Sequence, residues 1–192
     1  RMSNLCQEIT LPTKPINHIE DGDDTESEIA LCVLSAINVG AVELKELKDV
    51  CINIVRSLDS VIEYQSYPVK ASMKMHKRRS IGVGITNLAY YLAKHGVTYD
   101  DPKACTLVDE LMEYIQFYLI KASVQLAKEK GACEWFDRTK YSKGILPIDT
   151  YCKEVDNIVK RKLKLPWEKL RKDIKKYGMR NSTLTALMPC ES

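Results

Sequence analysis

The seven cysteines of this 192-residue chain include no C-x-x-C pair. Cys6, Cys32, Cys51, Cys105, Cys133, Cys152 and Cys190 are scattered and odd in number, which argues against a zinc site or a secreted disulfide framework. Reduced thiols in a cytoplasmic protein are the remaining reading. No run of about 18 apolar residues occurs, so no membrane-spanning helix is expected. The three histidines, His18, His76 and His95, lack the mutual spacing of metal ligands, and no metal site is expected in this chain. Gly82-x-Gly84 has no third glycine in place and is not a dinucleotide fingerprint. There is no internal repeat and no low-complexity tract. The net charge of +3 is small and neither demands nor excludes nucleic acid. No secretory signal is visible, an absence without weight in a chain that begins at Arg1 rather than Met.

At 45% hydrophobic residues, the chain reads as globular and of one-domain size. Its most informative stretch is Asn4-Leu5-Cys6-Gln7-Glu8. In an extended backbone alternate side chains share a face, so an amide, a thiol and a carboxylate would converge on one small volume. Pro12 and Pro15 keep residues 4–16 extended. A thiol beside a carboxylate and an amide can do hydrogen-atom or proton chemistry on a hydroxylated substrate. Short N-x-C-x-E strings also arise by chance.

Residues 17–28 read as a polar, acidic loop, and Ile29–Leu34, with Cys32 inside it, as a strand buried on both faces. Apolar residues from Leu44 to Ile62 recur at helical spacing, predicting a helix over about 44–64. The basic segment 74–79 leads into Ser80–Ile85, which opens a helix ending at His95 and capped by Gly96. Asp101-Pro102 predicts the start of a long helix with a Leu107/Leu111/Ile115/Leu119/Leu126 stripe, closed by Gly131. Residues 132–148 read as irregular. Helices are expected over about 149–162 and Trp167–Tyr177, then a strand over Ser182–Met188 stopped by Pro189. Long helices between a few short buried strands make this part of an α/β protein.

Each constellation has a plain reading and a chemical one. Cys6 and Cys32 are small buried hydrophobes on composition alone, or a reactive pair near one site. Pro189-Cys190-Glu191-Ser192 is an ordinary turn, or the entry to a helix N-terminus whose free N–H groups bind phosphate. Close packing of strand and helix accounts for Gly82 and Gly84. The segment 74–79 is a solvated loop, or touches phosphates. Nine Lys or Arg between Lys160 and Lys176, against Glu168 and Asp173, are a wet helical face or a nucleic-acid surface.

Taken in order, several strings resemble the large, catalytic subunit of class I ribonucleotide reductases. They are Ser3–Ile9 (SNLCQEI) with Leu11–Pro15 (LPTKP), Glu28–Cys32 (EIALC), Ala89–Gly96 (AYYLAKHG), Gly144–Tyr151 (GILPIDTY) and Arg180–Leu184 (RNSTL). The resemblance runs over essentially the whole chain. It implies part of a ten-stranded α/β barrel, with the catalytic finger loop at 1–16 and the start of the substrate phosphate loop at 189–192. It implies that Cys6 becomes a thiyl radical that takes the 3′ hydrogen of a ribonucleoside diphosphate. Glu8 would be the base on the 3′ hydroxyl and Asn4 would hold the substrate hydroxyls. Cys32 would be half of the dithiol that reduces the 2′ carbon and is left as a disulfide. Cys190, Glu191 and Ser192 would bind the diphosphate, although Cys190 stands where related bacterial sequences usually carry Ser.

The implied partners are a metal-containing small subunit that supplies the radical, a second large subunit, and thioredoxin or glutaredoxin as reductant. ATP and deoxynucleotide effectors would bind outside this stretch, and neither membrane nor nucleic acid is implied. Both ends read as cut from something longer. The partner thiol of Cys32 is expected upstream, so this stretch alone is expected to be inactive. Two other readings stand beside this one: a non-catalytic piece that assembles with other chains to complete a barrel, and a helical nucleic-acid-binding module using the basic faces at 74–79 and 160–176.

Overall fold

The computed structural model describes residues 2–4, 6–16 and 26–190. The expected acidic loop at 17–28 lies largely outside them, as do Glu191 and Ser192.

The N-terminal stretch is not continuously extended. Met2–Ser3 (β1) pairs antiparallel with Thr10–Leu11 (β2), and the residues between them turn back. Asn4 drives the reversal. Its carbonyl accepts from Gln7 N at 3.1 Å, its N–H donates to Ile9 O at 3.3 Å, and its side-chain oxygen accepts from Ile9 N at 3.3 Å. Asn side chains favour turns because they can bond nearby backbone in this way. Gln7 takes φ 59°, the left-handed region. Past the turn the chain is extended as expected, and Lys14 bridges antiparallel to Glu28.

The first long strand is Val33–Asn38 (β3), four residues later than expected and only partly buried. Ile29 is instead tied to the 3-10 turn at Lys70–Lys74 through its N–H and Ala71 O. Leu47–Tyr64 (α1) follows, beginning after a turn at 44–46. The basic segment is not a solvated loop. Met75–Arg78 (α2) is a short helix, and Arg78 and Arg79 are used internally.

Ile81–Thr86 does not open a helix. It is a strand (β4), parallel to β3 in the register Val33↔Ile81 to Asn38↔Thr86. Ile81, Gly82, Val83 and Gly84 are all buried, as a strand covered on both faces requires. Leu88–Lys94 (α3) starts only after it. Pro102–Lys130 (α4) has the expected bounds: the Asp101 side chain accepts from Lys103 N at 2.8 Å, Pro102 takes the first turn, and Gly131 closes the end. Leu111, Ile115 and Leu119 pack against Cys51, Val55 and Ile62 of α1 in the main core.

No helix fills 149–162. Only a 3-10 turn at Lys153–Asn157 forms, and Ile158 is left 64% exposed. Trp167–Tyr177 (α5) stands as expected. Residues 182–188 run alongside β4 but register as a single parallel bridge, Val83↔Thr185, rather than a full strand. Backbone bonds from Val83 N to Leu184 O at 2.9 Å and from Ala186 N to Val83 O at 3.3 Å hold them there. The result is a helix-rich α/β arrangement with a small parallel sheet ordered β3, β4, then the 182–186 segment.

Candidate active site

Asn4 and Glu8 do converge, but by a turn and not by strand alternation. The Asn4 amide Nδ2 donates to Glu8 Oε1. Glu8 Oε2 is buried and has no hydrogen-bond partner. Cys6 sits on the same turn with its thiol exposed. The prolines, expected to keep the whole stretch straight, act only beyond this turn, where the chain is extended.

Cys32 lies just before β3 and packs on the cluster formed by Ile9, Leu11 and Ala186. Burial, with the Glu8 carboxylate adding to it, pushes its thiol from an ordinary 9.0 up to about 12. The Glu8 carboxylate therefore lies within electrostatic reach of the thiol. The thiol is thus held neutral, as a hydrogen donor must be. Cys32 is only partly buried and Cys6 is exposed, so the plain reading of both as buried hydrophobes does not describe Cys6. Asn4, Ile9, Lys14, Glu28, Ala30 and Cys32 share the wall of one cleft of about 710 Å³.

Glu28, on that wall, was not a sequence candidate. It is almost fully buried and receives both Nε and Nη2 of Arg78. The Arg78 guanidinium lies 4.6 Å from the centre of the Trp135 ring, and Arg138 lies 4.2 Å from it. These residues are far apart along the chain, so no local pattern could have announced the clamp.

Cys190 is exposed at the far end of β4 and donates its thiol to Ile85 O at 2.9 Å. Glu191 and Ser192 lie outside the described residues, so the expected phosphate loop is seen only at its first positions. In the 74–79 segment Lys77 pairs with Glu134 at 2.8 Å and Arg79 with Asp59 at 2.6 Å; between 160 and 176, Arg161, Lys164 and Arg171 pair with Glu113, Glu110 and Asp149 at 2.5, 2.5 and 2.7 Å.

The family model described as ribonucleotide reductase, barrel domain, matches residues 1–192. The chain belongs to that family. It is 56% identical to the ribonucleoside-diphosphate reductase subunit alpha of Haemophilus influenzae, 54% to the ribonucleoside-diphosphate reductase 1 subunit alpha of Escherichia coli, and 46% to the subunit alpha of phage T4. Each comparison takes in all of this chain and 25% of the relative. The chain therefore spans about a quarter of the length of the curated relatives it matches. Among the described residues no helix of this barrel-domain chain is long and apolar enough to cross a membrane.

Proposed function

We propose that this barrel-domain chain carries the substrate-reducing site of a ribonucleoside-diphosphate reductase, converting ribonucleoside to deoxyribonucleoside diphosphates for DNA synthesis. The observation that carries the reading is the state of Glu8. One carboxylate oxygen is fixed by Asn4, and the other is buried and unpaired close to a neutral thiol. A buried acceptor without a donor is costly, and a substrate hydroxyl is the donor that relieves it.

In this reading the β1–β2 hairpin is the finger loop. β3, β4 and the 182–188 segment are neighbouring strands of the ten-stranded barrel. Their uniformly parallel order, with helices in each connection, supports that placement.

Cys6, as a thiyl radical, takes the 3′ hydrogen atom. Glu8 accepts the 3′ hydroxyl proton as general base, and Asn4 orients both. The 2′ hydroxyl leaves as water. Cys32 and a second thiol give up two electrons and two protons and become a disulfide, and Cys6 returns its hydrogen to C3′. Thioredoxin or glutaredoxin restores the dithiol by exchange. The radical comes from a metal-containing small subunit. Cys190 begins the loop that holds the diphosphate, with Glu191 and Ser192 next to it. A second large subunit and nucleotide effectors complete the regulated, cytoplasmic enzyme.

The test is deoxynucleoside diphosphate formation by the intact protein with its small subunit and a dithiol reductant. Cys6→Ser is expected to abolish it and Glu8→Gln to lower kcat by about 10²–10⁴. Wild-type turnover in either variant overturns the reading.

A further inference from the structure

The glycines of β4 are not explained by helix packing. A Cβ placed on Gly82 would lie 3.0 Å from Cys32 Sγ, 2.7 Å from Ala186 Cβ and 2.6 Å from Leu34 Cδ2. Separations under about 3 Å are far inside carbon–carbon contact, so three neighbours occupy the space a side chain would take. One of the three is the Cys32 thiol. Gly84, two residues on and on the same face of the strand, does the same for the opposite end of the site. Its Cβ would meet Met188 Sδ at 2.5 Å and Ala186 O at 2.7 Å. The backbone just beyond Gly84, at Ile85 O, accepts the Cys190 thiol.

We infer that Gly82 is a positioning residue for Cys32: the hollow left by its missing side chain is the seat in which the thiol rests. The three contacts respond differently to a methyl group at position 82. Leu34 is half-exposed, and the end of its side chain can swing aside. Ala186 is buried and short, and can yield only with its backbone. Cys32 has open space on its other side, because it lines the 710 Å³ cleft. The thiol must therefore give by a few tenths of an ångström, off β4 and toward the cleft, loosening the packing on Ile9, Leu11 and Ala186 that now shields it. Nothing in this displacement requires the sheet to come apart.

The consequence for turnover rests on the reductive role proposed for Cys32, but the seat itself is open to a measurement that does not. In the intact protein, iodoacetamide labelling of Cys32 is followed by peptide mass spectrometry at fixed pH, with Cys6 and Cys190 as internal references. Gly82→Ala is expected to speed labelling of Cys32 about tenfold, the change that one unit of thiol pKa makes in the thiolate fraction, with the two reference thiols unchanged. Gly82→Ala combined with Ala186→Gly removes the methyl–methyl clash while keeping the one with Sγ. It is expected to regain wild-type thermal stability and to keep the fast labelling.

A merely structural glycine gives the opposite result in the double variant, with stability and Cys32 labelling both returning to wild type, and that outcome overturns the inference. So does a Gly82→Ala protein that folds and labels at the wild-type rate. Loss of deoxynucleotide formation in the double variant, with labelling accelerated, ties the seat to the reaction. Accelerated labelling with full turnover leaves the seat standing and counts against the role proposed for Cys32.

Discussion

Arg79 Nε lies 2.6 Å from Asp59 Oδ1 where the two side chains are only 4% and 0% exposed. Arg79 also donates to the Asp59 carbonyl at 3.0 Å, and Arg180 Nε lies 3.3 Å from both carboxylate oxygens. This one acid joins α1 to the residues that lead into β4 and into its neighbour at 182–186. Asn181 adds a neutral version of the same joint: its side chain accepts from Ser123 and donates to the Arg79 carbonyl, each at 3.0 Å.

Removing Asp59 takes the closest carboxylate from the buried Arg79 and leaves Arg79 and Arg180 to share Glu63, at 2.7 Å and 3.3 Å. Asp59→Ala is expected to destabilise the protein, by less than the roughly 3–5 kcal/mol that a wholly unpaired buried charge costs, because Glu63 remains. A urea midpoint within error of wild type refutes this.

Glu113 accepts four hydrogen bonds: Arg161 Nη1 at 2.5 Å, Lys164 N at 2.8 Å, Leu165 N at 3.0 Å and the Trp167 indole at 3.2 Å. Burial pushes its carboxyl up, but the bonds from Arg161, Leu165, Trp167 and Lys164 outweigh that and hold it below its ordinary 4.5. A depressed carboxylate contributes stability that is present above 4.5 and lost as pH falls through the folded value. Glu113→Gln is expected to lower stability at neutral pH and to flatten its decline in acid. Parallel acid titrations of wild type and variant, read by circular dichroism, would expose the idea if their slopes agree.

Three thiols carry an alkaline signature. Burial raises Cys51 to about 12 and Cys133 to about 11, and Cys32 reaches about 12 by burial and Glu8. The folded protein keeps these protons when the unfolded chain begins to lose them near 9.0. Stability from them is therefore complete below that pH and falls as pH rises toward 11 and 12. Cys51→Ala is expected to shrink the loss of urea resistance between about pH 8 and pH 10.5, and an unchanged loss would show that Cys51 has no part in it.

The α4 start depends on one side chain. Asp101→Ala leaves the Lys103 N–H without its acceptor and is expected to cost about 0.5–2 kcal/mol, whereas Asp101→Asn keeps most of it. Equal thermal midpoints for the two variants would contradict this.

Elements whose signals are local were legible in the residues. Asp101-Pro102 and Gly131 mark α4 to the residue, and Pro166 and Gly178 bracket α5, because caps and breakers act within one turn of the positions they control. Ser80–Ile85 and 149–162 were misread for the opposite reason. A short apolar run such as Ile-Gly-Val-Gly-Ile suits a strand or the start of a helix equally, and the choice was made by β3, more than forty residues away. In 149–162 the ion pairs of Arg161 with Asp109 and Glu113 join the end of the segment to α4, at residues about fifty positions away that no local pattern could announce.

The same division runs through the site. The residue types in Asn4-x-Cys6-x-Glu8, and the wider order of motifs that marks the family, are properties of the sequence by itself, since they depend only on which groups are present and how many bonds separate them. That Asn4 caps Glu8 through a turn, that Glu8 keeps one oxygen bare, and that Gly82 leaves the thiol its seat were decided only by the tertiary structure. Hydrogen bonding, desolvation and steric fit act through space, between atoms that the chain brings together only once it has folded.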